Sequence, residues 1–156
     1  MIETPRVIET IPRLAAVIHL TVPRAEIQNV MRPGLDEVMA GIAAQGVTPA
    51  GPWFTHHLKK PSDTFDFEIC VPVATAVTAE GRMKPSQLPS MRVARIVYHG
   101  GYAGLAAAWG EFETWIAANG YKSAPDLWEC YVLGPESNPD PANWRTELTR
   151  PLIGPA

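Results

Sequence analysis

The sequence predicts an α+β fold: a two-layer, pseudo-twofold duplication of a strand-helix-strand-strand unit, with an antiparallel sheet and two helices on one face. Three observations predict it. Ile42-Ala43-Ala44-Gln45-Gly46-Val47 returns 74 residues later as Ile116-Ala117-Ala118-Asn119-Gly120-Tyr121. Pro52-Trp53-Phe54-Thr55-His56 is answered by Leu127-Trp128-Glu129-Cys130-Tyr131, and Phe67 to Val73 by Thr146 to Leu152. Each copy also sets a helical apolar period between strand-like runs. At 156 residues the chain suffices for one well-buried core, whereas each half alone would be marginal. The expectation is one domain over 1–156, with repeat 1 at about 5–75, a linker at about 76–90 and repeat 2 at about 91–154.

In the first copy, Arg6 to Thr21 contains the apolar stretch Leu14-Ala15-Ala16-Val17-Ile18, suited to a buried strand. Ile27, Val30, Met31, Leu35, Val38, Met39 and Ile42 then recur at three- and four-residue steps until Gly46 stops the helix. Pro33-Gly34 interrupts that stripe, so the helix either kinks there or starts there. A hairpin follows from Pro52-Lys59 through Lys60-Pro61-Ser62-Asp63 to Phe65-Val73. Residues 75–90, with Gly81, Pro85 and Pro89, read as the linker. The second copy enters with Met91 to His99, turns at Gly100-Gly101, and continues in a helix carrying Leu105, Trp109, Phe112 and Ile116 up to Gly120. Its hairpin is Leu127-Leu133 and Trp144-Leu152, joined by a stiff loop holding Pro135, Pro139 and Pro141.

Composition excludes several classes of function. A net charge of −3 without a Lys or Arg run leaves no electrostatic footprint for nucleic acid, so direct DNA binding is not expected. No apolar run approaches the roughly 18 residues of a membrane span, and no signal sequence opens the chain. A cytoplasmic protein is expected. Cys70 and Cys130 read as small hydrophobes without a disulfide. His56 and His57 point to opposite faces of a strand, so no metal site is expected and no cofactor is implied.

The repeat also locates a candidate site. With Trp53 set against Trp128, Glu129 takes the place of Phe54, and an acid replacing an aromatic on a strand is the best functional lead. Alternation then puts Phe54, His56, Glu129 and Tyr131 on the face that the helices leave uncovered, with Phe54 and Glu129 facing one groove from opposite halves. Trp53 alternates toward the helices but stays a candidate wall, as does Tyr102 after its turn. Trp109 reads as core. A carboxylate among aromatic rings loses solvation, so its proton affinity rises unless a cation or donor compensates. Such a group suits a flat cation or general acid-base work. The alternative is a Glu129 that is solvated or paired with Arg92 or Arg95. Glu68 and Glu147, equivalent in the repeat, read as a shared structural pairing.

Val97-Tyr98-His99-Gly100-Gly101-Tyr102, the helix through Trp109 to Trp115-Ile116, Gly120-Tyr121, Trp128-Glu129-Cys130-Tyr131, Gly134-Pro135-Glu136 and Trp144-Arg145-Thr146-Glu147-Leu148 with Pro151-Leu152 follow one another in a familiar order. Over nearly its whole length the chain resembles the GyrI-like small-molecule-binding family, the effector-binding domain of some AraC- and MerR-type bacterial regulators. The resemblance implies the pseudo-twofold fold and a carboxylate, here Glu129, at the floor of an aromatic-lined pocket. It implies binding of a hydrophobic, aromatic or cationic small molecule with Glu129 as its counter-charge, and the candidate walls beside it are Tyr131, Phe54, His56, Tyr102 and Trp53. It also implies two alternatives: a hydrolase of cyclopropane-containing genotoxins, with Glu129 and Tyr131 catalytic, or a toxin-opposing protein that interacts with gyrase. With no helix-turn-helix ahead of the domain, a standalone member is expected, with a protein partner or homo-oligomer left open.

Overall fold

The computed structural model describes residues 2–153; the outermost residues of the expected domain, 1 and 154–156, lie outside them. In chain order the elements are β1 (Arg6–Glu9), β2 (Arg13–Pro23), α1 (Ile27–Ala44), β3 (Phe54–His57), β4 (Thr64–Pro72), β5 (Lys84–Leu88), β6 (Arg92–His99), α2 (Leu105–Ala118), β7 (Lys122–Ser123), β8 (Leu127–Leu133) and β9 (Arg145–Ile153). The described residues form two compact α+β units, one comprising residues 11–90 and the other residues 2–10 and 91–153.

In the unit of residues 11–90, antiparallel strands run in the order β3-β4-β2-β5. Helix α1 covers one face, where Val38 and Ile42 join Ile18, Phe67 and Ile69 in a core that is closed to solvent. The helix is continuous with Pro33 inside it, led in by a 3-10 turn at Arg24–Glu26, so the Pro-Gly pair does not begin it. Gly34 follows because there is no room for more: a Cβ there would stand 2.4 Å from Ile69 Cδ1 and 3.3 Å from Ile18 Cδ1.

The other unit repeats the plan with β1-β6-β9-β8, β7 pairing with β9. Helix α2 covers one face, where Phe112 and Ile116 pack with Ala94, Ile96 and Leu148. The buried residues of α1, Gly34, Val38 and Ile42, correspond at a spacing of 74 to Ala108, Phe112 and Ile116, the buried residues of α2. Both helices end at a glycine with positive φ, Gly46 at 68° and Gly120 at 77°, the left-handed conformation that closes a helix at little steric cost.

Two segments fall differently from the sequence reading. Residues 6–21 form two strands, and the first of them, β1, pairs with β6 of the second repeat, in the unit that holds both. Within the stretch read as a linker, Lys84–Leu88 forms β5 against β2. Each unit thus takes an edge strand from the segment that leads into the opposite repeat, which short-range periodicity does not reveal.

Candidate functional site

Strand register decides which side chains share a face. In an antiparallel ladder, directly opposed residues point the same way, and a slip of one residue reverses every side chain. On β8, Glu129 stands opposite Leu148 and Tyr131 opposite Thr146. Leu148 belongs to the core under α2, so Glu129 and Tyr131 lie on the helix-covered face of their sheet. On β3, Thr55 stands opposite Ile69 and His57 opposite Phe67, both under α1, while Phe54 and His56 oppose Cys70 and Glu68 on the other face.

The sequence alignment of Trp53 with Trp128 is therefore one residue out. The counterpart of Glu129 is Thr55, 74 residues before it, and the counterpart of Tyr131 is His57. The expectation that Glu129 and Tyr131 line an uncovered face is overturned by this register, and Phe54 and Glu129 do not hold equivalent positions. Phe54 is 4% exposed, and His56 Nδ1 lies 3.2 Å from Glu68 Oε1. Beside Glu68, the same face of the first unit carries a charged cavity of about 450 Å³ lined by Val17, His19, Leu58, Glu68, Arg82 and Lys84. Trp53 packs against the core beneath α1. Glu147 pairs with Arg95 at 3.4 Å, so Glu68 and Glu147 each have a basic partner on their own sheet. Cys70 is buried and Cys130 half-buried, both as free thiols, and burial pushes the Cys70 thiol well above its ordinary value.

Glu129 is half-buried and committed at both oxygens. The Trp109 indole N–H donates to Oε2 at 2.7 Å, and the Tyr131 hydroxyl donates to Oε1 at 2.8 Å. These two donors replace part of the lost hydration without cancelling the negative charge. The arginines that sequence offered as partners are engaged elsewhere. Arg95 bonds Thr149 and pairs with Glu147, and Arg92 lies 5.5 Å over the Tyr121 ring. Among the described residues, no cationic side chain pairs with Glu129.

Aromatic rings continue the site outward. Tyr131, 6% exposed, meets Tyr102 edge to face with centroids 5.8 Å apart, and Tyr102 meets Trp144 at 4.9 Å. Tyr102 remains 36% exposed, so this wall reaches solvent. Burial, reinforced by the carboxylates of Glu136 and Glu129, pushes the Tyr102 phenol up to about 12, which keeps its hydroxyl a donor through the neutral range. The turn that carries Tyr102 is set by Tyr98, whose hydroxyl donates to the Gly101 carbonyl at 2.8 Å.

Three participants escaped the sequence reading. Trp109 does pack with Phe112, at 5.8 Å between rings, yet its indole also supplies the inner donor. The available signal is that a helix-borne indole N–H needs an acceptor when it is buried. Trp144 and Glu136 flank a long proline-rich loop whose path no periodicity fixes.

The model of the GyrI-like small-molecule-binding domain matches residues 3–153, which span both units. No curated protein matches the chain. Among solved structures, the C-terminal domain of EcmrR superposes with a TM-score of 0.86 at 23% identity, covering 97% of this chain and 98% of that one. In the EcmrR–DNA complex the match again covers 97% of this chain, which spans only 58% of the EcmrR chain (TM-score 0.85, 23% identity). SAV2435 bound to tetraphenylphosphonium matches with a TM-score of 0.70 at 12% identity, covering 97% of this chain and 95% of that one. A hydrolase from Listeria innocua matches at 0.66 and 12% identity, covering 96% and 91%.

Proposed function

This chain belongs to the GyrI-like small-molecule-binding domain family, and from that premise we propose that it captures a hydrophobic aromatic cation at Glu129. The observation that carries this reading is a half-buried carboxylate held by Trp109 and Tyr131, lacking a cationic partner among the described residues, beside an aromatic wall that reaches solvent. A delocalised cation gains from both parts: the ring faces attract it and the carboxylate neutralises it. The cation held by SAV2435, tetraphenylphosphonium, is of this kind and supplies a probe. Titrating it against wild type and Glu129→Gln by tryptophan fluorescence should show affinity about tenfold weaker in the variant. Equal affinity would remove Glu129 from the role.

In this reading Tyr102 and Tyr131 stay as walls, and Trp144 and Trp109 join them. The net charge of −3 and the absence of a basic run support a module that senses or sequesters its ligand in the cytoplasm without touching DNA itself. Among the described residues, no helix is long and apolar enough to cross a membrane.

One observation favours a second reading. The Tyr131 hydroxyl bonded to Glu129 is an acid-base couple at the edge of an apolar wall, suited to protonating a leaving carbon or activating water. Repeated turnover of a cyclopropane-containing alkylator, lost in Glu129→Gln with the fold intact, would establish a hydrolase. A stoichiometric complex without product would exclude it.

A further inference from the structure

The outer end of the aromatic wall holds a second acid that the binding reading does not use. Glu136 lies on the loop after β8, exposed, and no ion pair or hydrogen bond engages its carboxylate among the described residues. It is nevertheless placed at the site. A Cβ built on buried Gly134 would stand 2.8 Å from the Tyr102 hydroxyl and 3.1 and 3.3 Å from the two carboxylate oxygens of Glu136. The phenol and the acid therefore converge above one bare glycine, where a larger residue would push them apart. Gly134 and Ser137 lock that loop, the Ser137 hydroxyl donating to the Gly134 carbonyl at 3.0 Å. Tyr102 thus stands between two carboxylates, Glu129 within and Glu136 at the rim, and feels the charge of both.

We propose that Glu136 is the rim carboxylate of the Glu129 site and that the pair selects short aromatic dications over monocations of the same shape. The inference rests on the binding reading above and specifies its ligand. Glu129 is held by two neutral donors and Glu136 by none, so the site presents two uncompensated negative charges separated by aromatic rings. A ligand with one positive centre satisfies one of them. A second centre on a flat frame meets the other while its rings rest on Tyr102 and Trp144.

The test uses biphenyl bis-amidine and its mono-amidine analogue, with tetraphenylphosphonium as a reference, against wild type, Glu136→Gln and Glu129→Gln at low salt. Glu136→Gln should weaken the bis-amidine about tenfold and the two monocations by less than about threefold. Raising the ionic strength should erode the preference first at the exposed rim. A Glu136→Gln variant that binds all three as wild type does, or weakens all three equally, overturns the selectivity, whereas the binding reading is judged separately by the loss of tetraphenylphosphonium affinity in Glu129→Gln. Failure of wild type to bind any of the cations overturns the binding reading itself.

Discussion

In the half built on α1, the strand residues facing the helix are Thr55 and His57, with Thr55 Oγ1 and His57 Nε2 3.2 Å apart. In the half built on α2, the same register positions hold Glu129 and Tyr131, again hydrogen-bonded two residues apart. The first couple is sealed: Thr55 is 0% and His57 5% exposed, and His57 stacks on Phe67 at 5.3 Å. The second reaches an open aromatic wall. The helices differ in step, for Leu35 of α1 packs against the core where α2 has Trp109, the donor to Glu129. A second strand-helix pair shows the same change. Arg150 and Glu113 are bonded in one half, where the other has buried Val71 and surface-exposed Met39. Where the second half sets charged groups under its helix they come with hydrogen-bonding partners, because a lone charge there would cost too much.

The largest effect should come from splitting the Arg150–Glu113 pair. Arg150 is 7% exposed and otherwise bonds the Ala124 carbonyl. Glu113→Met leaves a guanidinium stranded, and urea unfolding should show a loss of about 3 kcal/mol. Glu113→Met with Arg150→Val rebuilds the residues of the first half, and should recover to within about 1 kcal/mol of wild type or exceed it. A double variant as unstable as the single one would break the comparison, since the two halves would then not share a core plan at that point.

Next in size is the donor to Glu129. Trp109→Phe keeps most of the ring and removes the N–H, so the charge-assisted bond is lost at a cost of about 1.5–3 kcal/mol. In Glu129→Gln the acceptor is neutral, and the same Trp109→Phe change should cost no more than about 1 kcal/mol. A double-mutant cycle on thermal or urea unfolding measures that coupling. Additive losses would mean that the indole serves only as packing, as Leu35 does in the other half.

The fold was legible because its signals are periodic and local. The stripes ending at Ile42 and Ile116, and the glycines after them, place both helices, and the strand pairs around them follow from alternation. The face of the site was not legible, for a specific reason: Trp53 and Trp128 are the same residue type, and matching them shifts the hairpins by one. The 74-residue spacing of the helices holds through β3 and β8, and it sets Thr55 against Glu129. Chemical identity outvoted geometry in the alignment, and in a strand one residue is the difference between two faces. Glu136 and Trp144 lay beyond reach for another reason, since the position of a proline-rich loop depends on tertiary contacts.

The smallest predicted effect sharpens the comparison from the surface. Where the second half buries the arginine of its helix-tethering pair, the first exposes both partners: Arg82 donates from both Nε and a terminal nitrogen to the Glu37 carboxylate, at 3.0 and 2.5 Å. The hydrogen bond from Arg82, opposed by slight burial and aided by its charge, holds Glu37 below the usual glutamate range. A carboxyl whose folded pKa is depressed stabilises the fold above its unfolded pKa, and that contribution disappears as pH falls through the folded value. Arg82→Gln should therefore lower stability at pH 7 by about 0.2–1 kcal/mol, with water and salt screening the pair. The difference from wild type should shrink once pH drops below about 4.5, the ordinary glutamate value, and vanish in strong acid. High salt at pH 7 should also shrink it, whereas the partly buried Arg150–Glu113 pair should keep more of its effect under the same salt. Denaturant midpoints for Arg82→Gln and Glu113→Met, measured across pH and ionic strength, separate the two. An equal salt response at both sites would show that the second half's pair is as wet as the first's, and that burial does not distinguish them.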